Sequence, residues 1–368
     1  MRRCEHCVLP ESYPGLTINE EGVCNRCLAH SAAGPLAVPV PLGEDKLRSV
    51  IDQYRGRNED YDCLVALSGG RDSTYALYYA VKVLGLRVLA FTIDNGFLPP
   101  ETRESVLNAT SILGVDHVIE KHGLAERNLK PILAAWLHRP SACMIPLLCV
   151  GCRLGLYRGF LHTARHYRIP LLLTGLGEPE SSFAMKFFAS RGTHKAISLV
   201  SGLGLEMIRN PRYLLMRPSL PYWLFVEYLY AFCPTPVMAR LICPEMHHLR
   251  LFEFIGWDEQ QIMTVIQSEL GWKKFGYSEA SWRSDCKISL LKNCFYRDTL
   301  GFTKNDELVS NMIRLGTMTR AEGLARIARE NVYPEQFLKD FLAEVGVPYQ
   351  AYRTGLARIR AMSETSIT

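Results

Sequence analysis

The stretch Val65-Ala66-Leu67-Ser68-Gly69-Gly70-Arg71-Asp72-Ser73-Thr74 joins an apolar run to a segment of helical spacing. Glycines 69 and 70 let the backbone approach a ligand closely and take conformations closed to other residues. A helix starting near Ser73 aims unpaired N–H groups and its positive dipole end into the turn. Ser68, Ser73 and Thr74 add hydroxyls. The turn is an anion site by construction, yet it lacks the lysine-bearing G-x-x-x-x-G-K-[ST] string of ordinary ATPases.

Around this turn strand and helix patterns alternate. Asp62–Leu67 reads as a first strand, Arg87–Ile93 as a second, His117–Ile119 as a third and Ile169–Thr174 as a fourth. Ser73–Leu84 and Glu101–Leu113 have helical spacing between them. Strands separated by helices imply parallel pairing through right-handed crossovers, hence an α/β fold with an open sheet covered on both faces. Such sheets bind ligands outside the carboxyl ends of their strands. Ser68–Ser73 falls there, as do Asp94 and Asn95, polar groups where an adenosine would cross the sheet edge. The loop "TGLGEPES" after the fourth strand is the other ligand-facing segment. Gly175 permits close approach there, and Glu178 is a candidate magnesium ligand.

The expected organisation has four parts: a cysteine-bearing segment at 1–30, a Pro/Ala/Gly-rich linker at 31–45, the ATP-binding domain at 46–200, and a mostly helical substrate or partner region at 201–368. In the last of these, Thr319 followed by Glu322 predicts a capping box. The 368 residues suffice for two domains plus extras, and 48% hydrophobic with 21% charged residues is ordinary for a soluble globular chain. A net charge of +5 is small for a protein built to neutralise many phosphates, so nucleic acid is not favoured. "MRRCEHCVLP" lacks the apolar core of a secretory signal, so the expected location is the cytoplasm. The greasiest run, Leu220–Cys233, is too short and too interrupted to span a bilayer. Its aromatic part, Tyr222–Phe232, reads first as core, with a partner surface or peripheral membrane contact as alternatives. A homodimer stays open.

Cys4-x-x-Cys7 and Cys24-x-x-Cys27, sixteen residues apart, have the paired-knuckle spacing of a tetrahedral zinc site. Four thiolates close the shell and leave no catalytic position, so Zn2+ is expected to be structural.

S-G-G-x-D-S after a first strand resembles the PP-loop of the ATP pyrophosphatase (adenine nucleotide alpha hydrolase) superfamily, with its HUP-like doubly wound sheet. The resemblance implies that Ser68, Gly69, Gly70, Arg71, Asp72, Ser73 and Thr74 bind ATP with Mg2+. It places catalytic roles on Asp72 and Ser73, and cleavage between the alpha and beta phosphates. A carbonyl or amide oxygen of the acceptor then takes the AMP, and nitrogen or sulfur displaces it. The order of "CEHCVLPESYPGLTINEEGVCNRC", "SGGRDSTY" and "SDCKISLLKN" running on to "GFTKNDELVSNMIRLGTMTRAEG" is similar to that of the N-acetyl sugar amidotransferase family. That resemblance implies conversion of a sugar acetamido group, on a sugar or nucleotide-sugar, to an acetamidino group in making surface polysaccharide (LPS) sugars. Ammonia would come from a partner glutaminase subunit, since no glutaminase motif lies here.

A second cysteine set departs from that pattern. Cys149-Val-Gly-Cys152 precedes a helical segment and supplies two thiols, with Cys286 in "WRSDCKI" the candidate third and Cys243 second to it. PP-loop enzymes that thiolate tRNA use a CxxC and one later cysteine for a [4Fe-4S] cluster beside the ATP. The competing expectation is therefore a cluster-dependent sulfurtransferase acting on tRNA or a small molecule. A third is a zinc-knuckle nucleic-acid-binding protein whose ATP site is regulatory.

Overall fold

The structure, a computed structural model, describes residues 2–34, 40–176, 195–232, 237–283 and 285–365. Five strands form one parallel sheet in the order β3-β2-β1-β4-β5: β1 Cys63–Ala66, β2 Val88–Asp94, β3 Asp116–Lys121, β4 Leu171–Thr174 and β5 His247–Arg250. The chain reverses its direction of travel across the sheet at β1, so the loops after β1 and β4 flank the switch point where ligands bind in such folds.

Period-two side-chain alternation sorts the strands between two cores. Cys63 and Val65 of β1, with Leu171 and Leu173 of β4, face one side. There they meet α1 (Arg71–Tyr78), α2 (Pro100–Leu113) and a helix from the C-terminal half, Glu259–Leu270. Leu64, Leu89, Phe91 and Leu172 face the other side, against the helix Cys152–His166. Both faces are covered, which is why β1, β2 and β4 are apolar almost throughout. The helix expected over Ser73–Leu84 starts two residues earlier and gives way at Tyr79–Val83 to a π turn.

The fifth strand corrects the expected boundary at residue 200. β5 pairs with β4 in register Leu171↔His247 to Thr174↔Arg250, so the parallel sheet draws on the region expected to be separate and helical. Its sequence, His-His-Leu-Arg, buries only Leu249 well, as an edge strand can. The run Ala142–His166 is long and apolar enough to cross a membrane by length and composition. Of its most apolar 18-residue window, 67% is buried inside the fold, and its helix lies on the sheet. The aromatic stretch divides: Glu227 and Tyr230 are buried, whereas Tyr222 and Phe225 are exposed.

The helices Leu124–His138, Lys287–Leu300 and Glu335–Glu344 form a third core with the N-terminal cysteine segment. The expected capping box is present, Thr319 accepting from the Glu322 N–H at the start of the helix Arg320–Glu330. Val8 packs against Val309 and Ile327. Arg3 pairs with fully buried Asp306 at 2.7 Å.

Candidate active site

The turn after β1 is held open by its neighbours. Gly69 has φ +82, and a Cβ there would lie 2.5 Å from Thr102 Cγ2 on α2, so only glycine fits. Trp272 Nε1 donates to the Gly69 carbonyl at 2.9 Å. Ser68 and Ser73 hydroxyls lie 3.1 Å apart, and the Gly70 N–H donates to Ser68 Oγ at 3.2 Å. Gly70 begins α1 with no side chain capping it, which leaves the first-turn N–H groups directed at the loop.

Two residues expected at the nucleotide turn away from it. Thr74 is fully buried and its hydroxyl donates back to the Gly70 carbonyl at 2.9 Å, the usual alternative for a hydroxyl inside a first turn. Arg71 is 2% exposed and runs between α1 and the C-terminal helices. Its guanidinium contacts Glu259, donates to Ser281 Oγ at 2.7 Å and lies over the Trp257 ring at 4.9 Å. Arg326 joins from the other side, its Nη2 2.8 Å from Glu259 Oε1, and also pairs with Glu330. An arginine so placed offers a phosphate only its backbone N–H. Asp72 Oδ1 accepts from Arg71 Nε and Trp257 Nε1, both at 3.1 Å, which fixes the carboxylate beside the loop.

Asp94, at the end of β2, is bound in both directions by Arg103 at 2.9 and 3.2 Å and accepts from the Gly96 N–H. Asn95 is 3% exposed and faces the second cysteine set rather than the open sheet edge. Gly175 presses on the loop itself: a Cβ there would meet the Asp72 carbonyl oxygen at 2.2 Å. Glu178 lies outside the described residues.

The first cysteine set closes as expected for a metal. The sulfurs of Cys4, Cys7, Cys24 and Cys27 all lie within 4.8 Å of one another and are buried. Cys4–Cys27 and Cys7–Cys24 are 3.9 and 3.8 Å apart. Four sulfurs about 2.3 Å from a central zinc would be about 3.8 Å apart, so the donors fit one tetrahedral ion. Backbone N–H groups of Cys7, Cys24 and Cys27 point at ligand sulfurs.

The second set is brought together by a residue whose role the sequence hid. Asn95 Nδ2 donates to Cys152 Sγ at 3.1 Å and to Cys286 Sγ at 3.5 Å, although Cys286 is 191 residues away. Lys292 Nζ donates to Cys149 Sγ at 2.9 Å. Burial raises the Cys149 thiol, but Lys292 and Arg153 outweigh it and draw it below its ordinary value. Burial and Cys149 push Cys286 up to about 11. Cys243 is elsewhere, bonded to the Leu161 carbonyl. The set borders the Ser68–Ser73 turn: Asp285 lies 3.2 Å from where a Gly70 Cβ would be, and the Lys287 N–H donates to the Phe97 carbonyl at 3.0 Å. Three partly buried thiols around Asn95 and Lys292 offer the soft donor set that an iron–sulfur cluster takes.

No family model matches the chain. An NH(3)-dependent NAD(+) synthetase of Pyrobaculum aerophilum is 38% identical over 80 residues, and a glutamine-hydrolysing GMP synthase of the same organism is 32% identical over 75. With the S-G-G-x-D-S turn at the head of α1 and the open parallel sheet behind it, these matches decide the superfamily. The chain belongs to the PP-loop, or adenine nucleotide alpha hydrolase, superfamily. An uncharacterised protein of Methanocaldococcus jannaschii is 29% identical over 123 residues. This PP-loop chain spans 42% of the length of that relative, 15% of the GMP synthase and 30% of the NAD(+) synthetase. Among solved structures it is similar to U34-tRNA thiolase NcsA from Methanococcus maripaludis with its [4Fe-4S] cluster. That likeness has TM-score 0.33 and 14% identity over 89% of each chain.

Proposed function

We propose that this PP-loop chain is an ATP-dependent sulfurtransferase that activates an acceptor oxygen with AMP and replaces it with sulfur. The observation that carries the reading is the gathering of Cys149, Cys152 and Cys286 around Asn95 and Lys292, at the rim of the PP-loop.

Uncapped N–H groups at the head of α1 and the Ser68 and Ser73 hydroxyls hold the phosphates of ATP, with Asp72 beside them for magnesium. The acceptor is an amide-like carbonyl. Its oxygen attacks the alpha phosphorus, pyrophosphate leaves, and the neighbouring nitrogen loses a proton. Hydrosulfide then adds to the activated carbon, and AMP departs with the original oxygen, so no oxidant or reductant is consumed. A [4Fe-4S] cluster on Cys149, Cys152 and Cys286 would keep one iron open to carry that sulfur. The four-cysteine knuckle holds zinc and has a structural role.

Nitrogen transfer is the second reading, favoured by the glutamine-hydrolysing and NH(3)-dependent names of the two Pyrobaculum relatives and by the motif order of the N-acetyl sugar amidotransferases. Ammonia from a partner glutaminase would then add in place of hydrosulfide. Anaerobic purification followed by iron, sulfide and zinc analysis separates the two. About four irons and four sulfides per chain beside the zinc, lost in Cys286→Ser, support sulfur transfer. A protein that carries zinc alone after anaerobic reconstitution with iron and sulfide overturns it and leaves ammonia as the nucleophile.

A further inference from the structure

Lys292 is 8% exposed, on the helix Lys287–Leu300 that begins directly after Cys286. A buried ammonium is costly unless an anion answers it. Among the described residues its polar partner is Cys149 Sγ, at 2.9 Å, with no carboxylate in reach. Of the other cations beside the set, Lys304 acts on Cys149 more weakly, and Arg153 has its own counter-charge: Glu227, 1% exposed, pairs with it at 2.5 Å and also accepts from the Gly151 N–H. The sulfurs thus supply what Lys292 requires. Asn95 serves the two remaining sulfurs through its one amide nitrogen, so each of the three receives an N–H donor.

From this arrangement, and resting on the cluster reading above, we infer that Lys292 is the residue that sets the charge and reduction potential of an iron–sulfur centre on Cys149, Cys152 and Cys286. Three thiolates outweigh the positive charge of a resting cluster core, so the loaded site is net anionic. One ammonium against Cys149 offsets that charge where water cannot. Potentials of such centres respond to net charge and to hydrogen bonds on the sulfurs. A nearby positive charge favours the reduced form, so Lys292 raises the potential. It also screens the thiolates that oxygen would attack.

The test is anaerobic reconstitution of the full chain with iron and sulfide, followed by a redox titration read by EPR and by bleaching of the cluster absorbance in air. Lys292→Met removes charge and donor, Lys292→Gln keeps an N–H donor without the charge, and Lys292→Arg keeps both. The expected order of midpoint potentials is wild type and Lys292→Arg highest, Lys292→Gln lower and Lys292→Met lowest, with several-fold faster bleaching in Lys292→Met. If Lys292→Met fails to fold, the Gln and Arg variants still separate charge from packing. Potentials and bleaching rates unchanged across the series overturn the inference while the cluster reading stands. A wild-type chain that takes up no cluster overturns both.

Discussion

The guanidinium of Arg71, inside the PP-loop string, lies against the carboxylate of Glu259, 188 residues further along the chain. Glu259 in turn holds Arg326, whose helix begins at Arg320. Arg320 donates to the carbonyls of Cys4 and Cys7 at 3.1 and 3.2 Å. One half-buried carboxylate therefore ties the PP-loop to the helix that contacts the metal knuckle.

Glu259→Gln should destabilise the chain by about 3 kcal/mol, because it leaves Arg71 and Arg326 with less counter-charge in a largely buried site. Thermal or urea unfolding measures it, and a change within about 0.5 kcal/mol would mean that the network contributes nothing. The pH dependence has a definite sign. Burial raises Glu259, but Arg326 and Arg71 outweigh it and draw it from 4.5 to about 2. A depressed acid contributes stability that is full above its unfolded value and is lost as pH falls through its folded one. The wild type should lose this contribution between about pH 4.5 and pH 2, and Glu259→Gln should lack that part of the decline.

How far these contacts can be read from the sequence depends on their range. The PP-loop, the strands around it, the capping box at Thr319 and the paired CxxC knuckle are local patterns, legible in the string itself. Arg71 was expected at the nucleotide because its loop is; its partner Glu259 is separated by more than half the sheet, and no spacing rule reaches it. Asn95, in Asp-Asn-Gly, was expected at the nucleotide because it ends β2, and its bridging of Cys152 and Cys286 exists only after the chain returns from residue 286. β5 escaped notice because His247, His248 and Arg250 are polar and exposed to differing degrees, without the apolar run of the inner strands. Lys292 carried no signal except its place one and a half turns after a cysteine.

The knuckle is docked rather than tethered, and this gives its metal a measurable effect. Tyr13 donates to Glu307 at 2.6 Å, Arg3 pairs with Asp306, and Val8 is fully buried against Val309 and Ile327. These contacts require the fold that the four thiolates close around an ion. Cys24→Ser should release one zinc per chain and lower the melting temperature, as should a chelator added to the wild type. A variant that kept its metal content and its melting temperature would show that the knuckle is not a metal site.

Asp72 is held at Oδ1 by Arg71 and Trp257, so its charge and its position can be separated. Asp72→Ala should lower ATP turnover at least about a hundredfold, as loss of a charge-positioning group in a closed site does. Trp257→Phe keeps a ring beneath Arg71 but removes the indole donor, and should cost much less. The products, followed by phosphorus NMR with the small-molecule fraction of a cell extract as acceptor source, should be AMP and pyrophosphate. ADP and phosphate would rule out cleavage between the alpha and beta phosphates.

Gly175 tests whether β4 sets the position of the ATP turn. No unusual backbone angle demands glycine there, so alanine is conformationally acceptable and any effect must come from contact. The added Cβ would lie 2.2 Å from the carbonyl oxygen of Asp72 and 2.9 Å from the Ser73 nitrogen. Both are backbone atoms of the PP-loop and cannot rotate aside as a side-chain end could, so the loop itself has to shift. Overpacking of this kind costs about 1–3 kcal/mol. Because it displaces the N–H groups that face the phosphates, part of that cost should fall on ligand affinity. Gly175→Ala should weaken ATP binding by about tenfold, equivalent to about 1.4 kcal/mol. Gly204→Ala is the control, since a Cβ at Gly204 meets nothing within 4 Å. Calorimetric titration with a non-hydrolysable ATP analogue gives the comparison. Equal affinity in Gly175→Ala and Gly204→Ala would mean that the turn keeps its shape without β4, and that α1 and Trp272 alone hold the loop.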